Sequence, residues 1–418
     1  MFQTLRGMRD ILPDEAERRR SMEAALRGVF SRYGYREIVT PMMEEASLFA
    51  RGLGEGSDLV SKEMYSFEDR GGRTVTLRPE GTASVLRAAA QAGLCQGKGL
   101  VRLCYYGPMF RYEKPQKGRM REFYQYGVEA LGSHSPALDA EMLEMVARVL
   151  EALRVEDTTL LLNSVGCAAC RPAYVKALVK FAEGKKLCRE CLARAGRNPL
   201  RMLDCKRGEC RDVLDGAPEI PDYWCDDCRG HFSEVRENLD GYGVAYKLEP
   251  HLVRGLDYYV RTAFEVIQES LGAQDALLGG GRYDGLAKAL GCPDVPGIGF
   301  AGGVERLLIA LPEAEKTPRL DVYVAAAGDS ALGEALRLAR EMRAAGLSAE
   351  VDFEGRSLKA QMKEANRLGA RRAVILGEDE LKNRAATLKD METGEQRSVA
   401  RDELLDAVGR SGKGKNSS

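Results

Sequence analysis

The chain has 418 residues, too many for one ordinary domain, and 44% of them are apolar, enough for more than one sizeable core. Its 62 basic and 63 acidic residues leave a net charge of −1, so no chain-wide basic field marks a nucleic-acid binder and an RNA partner must be held by local patches. No apolar run approaches the roughly 18–20 residues that span a bilayer, and the opening Met-Phe-Gln-Thr-Leu-Arg-Gly-Met-Arg-Asp lacks the charged-then-apolar pattern of a signal peptide, so a soluble cytoplasmic protein is expected.

Asp14 to Arg32 reads as a helix, with Leu26, Val29 and Phe30 at helical spacing after Pro13. Tyr33-Gly-Tyr-Arg-Glu-Ile-Val-Thr-Pro41 alternates like a strand and ends at a proline. Thr74-Val-Thr-Leu77 is a short strand leading through Arg78-Pro-Glu-Gly-Thr82 into a helix from Ala83. Val101-Arg-Leu-Cys-Tyr-Tyr106 and Phe123-Tyr-Gln-Tyr-Gly-Val128 read as hairpin arms around a polar turn, Glu113 to Arg121, that contains Pro115 and Gly118. Leu138 to Leu153 is an amphipathic helix with Leu143, Val146, Val149 and Leu150 on one side. Strand patterning resumes at Thr262-Ala-Phe-Glu-Val-Ile267, and Gly279-Gly-Gly-Arg-Tyr-Asp-Gly285 reads as a loop.

Beyond the linker, strands at 321–325, 349–352 and 373–376 alternate with helices at 331–345 and 357–368, a pattern that implies a mostly parallel sheet with helices on its faces. The resulting division is a first core segment 1–165, an insertion 166–247, a second core segment 248–312, a linker 313–320, a further domain 321–408 and a polar tail 409–418 expected to be disordered.

Eight of the eleven cysteines lie in the insertion: Cys167, Cys170, Cys188, Cys191, Cys205, Cys210, Cys225 and Cys228. Without a secretory signal, such clustering points to metal ligands or reduced thiols rather than a disulfide frame. Eight thiolates are the complement of two Cys₄ zinc sites of structural type. The alternative is a set of buried or free thiols, and spacing alone does not say which cysteines pair.

Three segments then decide the class. Phe110-Arg-Tyr-Glu-Lys-Pro-Gln-Lys-Gly-Arg-Met-Arg-Glu-Phe-Tyr-Gln-Tyr-Gly-Val-Glu129 resembles motif 2 of class II aminoacyl-tRNA synthetases, and Gly297-Ile-Gly-Phe-Ala-Gly-Gly-Val-Glu-Arg306 resembles motif 3. Leu252-Val-Arg-Gly-Leu-Asp-Tyr-Tyr-Val260 is similar to the histidine signature of the histidyl-tRNA synthetase family. Any one of these arginines alone would read as a surface charge; the order and spacing of the three segments carry the resemblance. It implies an α+β class II catalytic domain, an antiparallel sheet flanked by helices, with the Cys-rich insertion and a C-terminal α/β anticodon-binding domain. Motif 1, around Pro41, would pair two subunits into a homodimer.

The resemblance also implies roles. Arg111, Arg254 and Arg306 would be catalytic: the attack of a carboxylate on the α-phosphate of ATP builds negative charge that fixed arginines stabilise. Arg111, Glu113, Arg119, Gly302, Gly303 and Arg306 would bind ATP with its Mg²⁺, Glu113 accepting from the adenine amino group and the two glycines admitting ATP to the backbone. Glu80, Thr82, Arg111, Gln125, Glu129, Arg254, Tyr258, Tyr259 and Tyr283 would hold L-histidine. Gln125 and Glu129, four apart in an alternating strand, point the same way. Gln116 and Arg119 would meet the acceptor end of tRNA(His). In the last domain Arg356, Lys359, Lys363 and Arg367 lie on or beside one helix, and the last three form a stripe suited to phosphates or, alternatively, an ordinary solvated face. A histidine base is not expected, since only His134, His231 and His251 exist.

The resulting expectation is an ATP-dependent ligase that attaches histidine to its tRNA through a histidyl-adenylate. The rivals are a histidine-binding regulatory subunit of ATP phosphoribosyltransferase, which lacks the last domain, and a synthetase-like RNA sensor without ligation.

Overall fold

A computed structural model describes residues 2–54, 57, 59–97, 99–268, 276–312 and 320–409. The expected linker, apart from Leu320, and the expected tail, apart from Gly409, lie outside the described residues. The chain divides into two compact units, Met1–Pro312 and Glu313–Ser418.

Among the described residues the first unit is built on an eight-stranded sheet. Its strands run, in spatial order, Arg36–Glu37, Val101–Phe110, Glu122–Leu131, Gly297–Gly303, Ala276–Arg282, Val260–Gln268, Thr158–Ser164 and Lys247–Leu248. All the interior pairings are antiparallel; the two-residue strands at either edge pair parallel. Three helices, Pro13–Arg32, Pro136–Ala152 and Asp226–Tyr242, share a core with one face of the sheet. That face is dense. Tyr126, Val128, Phe264, Val266, Ile298 and Phe300 project from the strands and meet Leu26, Phe30, Leu143, Val146, Phe232 and Val235 from the helices. Burying a side chain such as Leu143 contributes about 1.5–3 kcal/mol, so this layer is a large source of the unit's cohesion.

The expected strand 33–41 shrinks to Arg36–Glu37, extended by the Ile38 amide donating to the Cys104 carbonyl at 2.8 Å. Thr158–Ser164 is a strand that alternation alone did not single out. The run from Gly279, read as a loop, is instead the strand Ala276–Arg282 in the middle of the sheet. Glycine hides the period-2 signal of a strand because half of the pattern has no side chain to read. The helix Asp226–Tyr242, placed by its cysteines inside the insertion, packs with the main core, whereas the insertion's own core is Tyr174, Leu178, Met202, Leu214 and Ile220.

The second unit has a five-stranded sheet among its described residues, ordered Ala349–Val351, Leu320–Ala326, Ala370–Leu376, Ala385–Asp390 and Gln396–Ala400. The first three strands are parallel and the last two add an antiparallel hairpin. Asp329–Ala344 covers one face and Leu358–Arg367 the other. On the latter helix Gln361 and Ala365 are buried, leaving Lys359, Lys363 and Arg367 exposed.

Candidate active site

Opposite the helix-covered face, the large sheet forms the floor of a cavity of about 840 Å³. The floor is paved with small residues because the cross-strand register aligns them. Gly127 faces Ala301, Ala301 faces Gly279, and Gly279 faces Glu265. In the next row Glu129 faces Gly299, which faces Gly281. A Cβ at Gly299 would lie 2.0 Å from Glu129 Oε2, and one at Gly279 would lie 2.2 Å from Arg254 Nη2. The polar heads lie flat over bare backbone, and only glycine permits it.

Arg111, at the end of the strand Val101–Phe110, donates from Nε to the Pro79 carbonyl at 2.8 Å and stacks 5.2 Å above the Phe123 ring. Arg119 comes from the hairpin turn and pairs with Glu113 at 3.0 Å, while Arg111 lies 3.8 Å from the same carboxylate. Arg306, on the first turn of the helix Val304–Ala310, donates to the Ala276 carbonyl at 2.7 Å. Burial lowers its pKa, and the positive charges of Arg119 and Arg111 push the same way against the partial relief of Glu113 and Glu265. One end of the cavity therefore concentrates cations that repel one another, which a polyanion would relieve.

Arg254 rises from the loop before the strand Val260–Gln268 and donates from Nη1 to Glu265 Oε1 at 2.6 Å. Burial works against its charge, yet Glu265 and the adjacent tyrosines hold its pKa above the ordinary value. Its Nε is buried with no hydrogen-bond partner.

The other end is aromatic and acidic. Tyr258 packs 4.6 Å from Tyr259 and 5.8 Å from Tyr283, centroid to centroid. Tyr283 donates its hydroxyl to Glu129 Oε2, while Glu129 Oε1 is buried without a partner. Burial pushes the Glu129 carboxyl up to about 8, against the opposing effect of the Tyr283 hydroxyl. Glu80 accepts from the Thr82 and Ala83 amides at 2.7 and 2.9 Å, and burial raises its pKa as well. Gln125 Oε1 accepts from the Gly81 amide at 3.1 Å.

Glu80, Thr82, Arg111, Glu113, Arg119, Gln125, Glu129, Arg254, Tyr258, Tyr259, Tyr283, Gly302, Gly303 and Arg306 all line this one cavity. Gln116 does not; it closes the hairpin turn through reciprocal backbone bonds with Arg119 at 3.0 and 2.9 Å. Gly302 is small for a different reason from the one expected: the Tyr126 ring occupies the place of its Cβ, at 2.5 Å, whereas a Cβ at Gly303 would meet Arg306 Cγ only at an ordinary 4.0 Å. Of the eight insertion cysteines only Cys205 borders the cavity, and the eight form two groups of four, Cys167/Cys170/Cys225/Cys228 and Cys188/Cys191/Cys205/Cys210.

Glu265 and Asn198 escaped the sequence reading, and Arg201 was read there in another role. Glu265 anchors Arg254, and an acid alternating with apolar residues in a strand was its available signal. Asn198, from the insertion, contacts Asp257 and was marked by no local pattern. Arg201, readable from sequence only as one of the insertion's basic residues that could touch the tRNA acceptor stem or form a solvated face, bonds the Arg254 carbonyl instead.

Comparison with known proteins resolves the family. A family model described as histidyl-tRNA synthetase matches residues 7–307, and an anticodon-binding-domain model matches residues 321–410. The chain belongs to the histidyl-tRNA synthetase family. A histidine–tRNA ligase of Halothermothrix orenii is 48% identical over 409 residues, covering 96% of this chain and 98% of that protein. One from Anaeromyxobacter dehalogenans is 50% identical over 411 residues, covering 97% and 98%. Among solved structures, the apo histidyl-tRNA synthetase of S. aureus superposes with a TM-score of 0.82 at 37% identity, covering 98% of this chain and all of that one. The class II catalytic fold and the anticodon-binding domain of the synthetase family are thus both present, which separates the chain from the regulatory-subunit alternative lacking the second.

Proposed function

We propose that the chain is an ATP-dependent histidine–tRNA ligase that performs both half-reactions in the cavity described. A carboxylate oxygen of L-histidine attacks the α-phosphorus of ATP, the bond to the bridging oxygen breaks, and pyrophosphate leaves a histidyl-adenylate. The 3′-hydroxyl of the terminal tRNA ribose then attacks the adenylate carbonyl and AMP departs. The convergence of Arg111, Arg119 and Arg306 at one end with an aromatic, acidic pocket at the other carries this reading. Arg306 and Arg119 take the outer phosphates, and Mg²⁺ enters with ATP, held mainly by those phosphates. Arg111 and Arg254 meet the charge that develops on the α-phosphoryl group, where preorganised cations stabilise the transition state most. The imidazole lies among Tyr258, Tyr259 and Tyr283 with one nitrogen donating to Glu129; Glu80, Thr82 and Gln125 take the ammonium.

The working unit is a homodimer formed through the motif 1 segment. Val39, Met42 and Met43 are 80%, 53% and 56% exposed there, a cluster of apolar surface that one subunit leaves uncovered. The tRNA acceptor end approaches the turn bearing Gln116 and Arg119, and the Lys359–Lys363 stripe meets phosphates elsewhere on the tRNA. No helix among the described residues is long and apolar enough to cross a membrane, and the cytoplasm, which supplies ATP and tRNA, is the proposed compartment.

Pyrophosphate exchange into ATP, assayed against a panel of amino acids, tests the activation step. Exchange with histidine alone, lost in Arg254→Ala, is expected. Histidine binding without exchange would favour a sensor or regulatory role.

A further inference from the structure

We propose that the insertion carries two tetrathiolate zinc sites, and that they hold its inner edge against the loop 252–260. The first consists of Cys167, Cys170, Cys225 and Cys228, the second of Cys188, Cys191, Cys205 and Cys210; within each group the sulfurs all lie within 4.8 Å of one another. In the first, Cys167 Sγ lies 3.7 Å from both Cys170 Sγ and Cys225 Sγ, and Cys170 Sγ lies 3.8 Å from Cys228 Sγ. A disulfide would bring two sulfurs to about 2.05 Å. A tetrahedron of sulfurs at the usual zinc–sulfur distance of about 2.3 Å has edges of about 3.8 Å, the spacing found here.

Backbone amides turn toward these sulfurs. The Cys167 amide donates to Cys170 Sγ at 3.2 Å, the Cys188 amide to Cys210 Sγ at 3.2 Å and the Cys191 amide to Cys188 Sγ at 3.4 Å. Such donors stabilise thiolates and orient them on a metal. Gly166 bends the chain at a φ of +69°, and a Cβ there would come within 2.9 Å of Cys170 Sγ. Four thiolates with no oxygen or nitrogen ligand select a soft tetrahedral ion, and a closed set of four describes a structural rather than a catalytic zinc. The insertion's own core is small, built around Tyr174, Leu178, Met202, Leu214 and Ile220, and a metal staple would add to its stability.

Both sites abut the loop 252–260. Arg171, next to Cys170, donates to the Gly166 carbonyl at 3.1 Å and also to the Tyr259 carbonyl. Arg201, just before Cys205, donates to the Arg254 carbonyl at 3.4 Å, and Asn198 donates to Asp257. The second site thus braces the segment that supports Arg254 from behind. This positioning part of the inference rests on the function proposed above; the metal content does not.

The full chain, purified under reducing conditions with zinc present, is expected to hold two zinc ions by elemental analysis. Cobalt substitution is expected to give intense sulfur-to-metal charge-transfer bands. The double variant Cys188→Ser/Cys191→Ser should lose one ion and keep the other. Unmodified chain that holds no zinc, or holds iron instead, would overturn the sites irrespective of how any variant folds. Stripping zinc from the unmodified protein should raise the KM for histidine in pyrophosphate exchange by roughly 10- to 100-fold, the scale of a misplaced positioning element, and readdition should restore it. Unchanged kinetics in the stripped protein would overturn the bracing role while leaving the metal count to stand.

Discussion

Arg254 reaches Glu265 at 2.6 Å by lying across the place where Gly279 has no side chain. The arginine proposed to meet the α-phosphoryl group is held from two sides, by a carboxylate on the neighbouring strand and by the emptiness beneath it. A methyl group at position 279 would collide with the far end of Arg254, a flexible side chain that can swing away. Gly279→Ala should therefore fold with little loss of thermal stability, yet reduce kcat/KM for histidine-dependent exchange about 100-fold. A variant whose kcat/KM stays within threefold of the parent would sink the idea that the glycine serves the arginine.

Glu129 should make histidine binding depend on pH. In the free protein its carboxyl titrates at about 8, so at pH 7 it is mostly protonated. A bound imidazole that donates to it requires the ionised form, so binding releases a proton below pH 8. The sign follows: affinity rises as pH increases from 7, by about tenfold, and levels off above 8. Calorimetry in two buffers of different ionisation enthalpy measures the released proton directly. In Glu129→Gln both the proton release and the pH step should vanish, along with much of the affinity.

Charge placed on the motif 1 surface should dissociate the proposed dimer without unfolding the subunit. Val39→Asp combined with Met42→Asp alters residues that are 80% and 53% exposed, and surface changes of this kind cost a subunit only about 0.5 kcal/mol. Sedimentation velocity should show the parent as a dimer and the variant as a monomer. A parent that sediments as a monomer at micromolar concentration would remove the interface.

On the helix Leu358–Arg367, Arg367 is paired with Glu364 at 2.6 Å, so Lys359 and Lys363 are the better phosphate contacts. Lys359→Ala and Lys363→Ala should each weaken tRNA binding and flatten its salt dependence by roughly 0.7–0.9 in the log–log slope. Pyrophosphate exchange, which needs no tRNA, should be untouched. An unaltered slope in both variants would return the stripe to an ordinary solvated face.

Much of this architecture was legible before the structure. The hairpin around Glu113–Arg121 announced itself through alternating arms and a polar turn, and the helices at 136–152 and 329–344 through their apolar stripes. The arginines and pocket residues were named through the order of three motifs, since no local pattern says that Arg111 and Arg306 line one cavity. What stayed hidden depended on register. Gly279 belongs to a strand only because Ala301 and Glu265 flank it, and Glu265 matters only because Arg254 folds back over it. The grouping of the cysteines likewise depends on how Cys225 returns to Cys167, a closure no spacing rule contains.

That return has a consequence of its own. With Cys167 and Cys225 sulfurs 3.7 Å apart, the chain leaves the core and re-enters it at nearly one point. A segment attached through so narrow a neck adds a loop-closure cost that grows only slowly with its length. Yet the same segment supplies Asn198 and Arg201 to the wall of the reaction cavity. The appendage is thus joined to the core at one point and yet forms part of the cavity wall, so a change within it reaches the cavity without passing through the sheet.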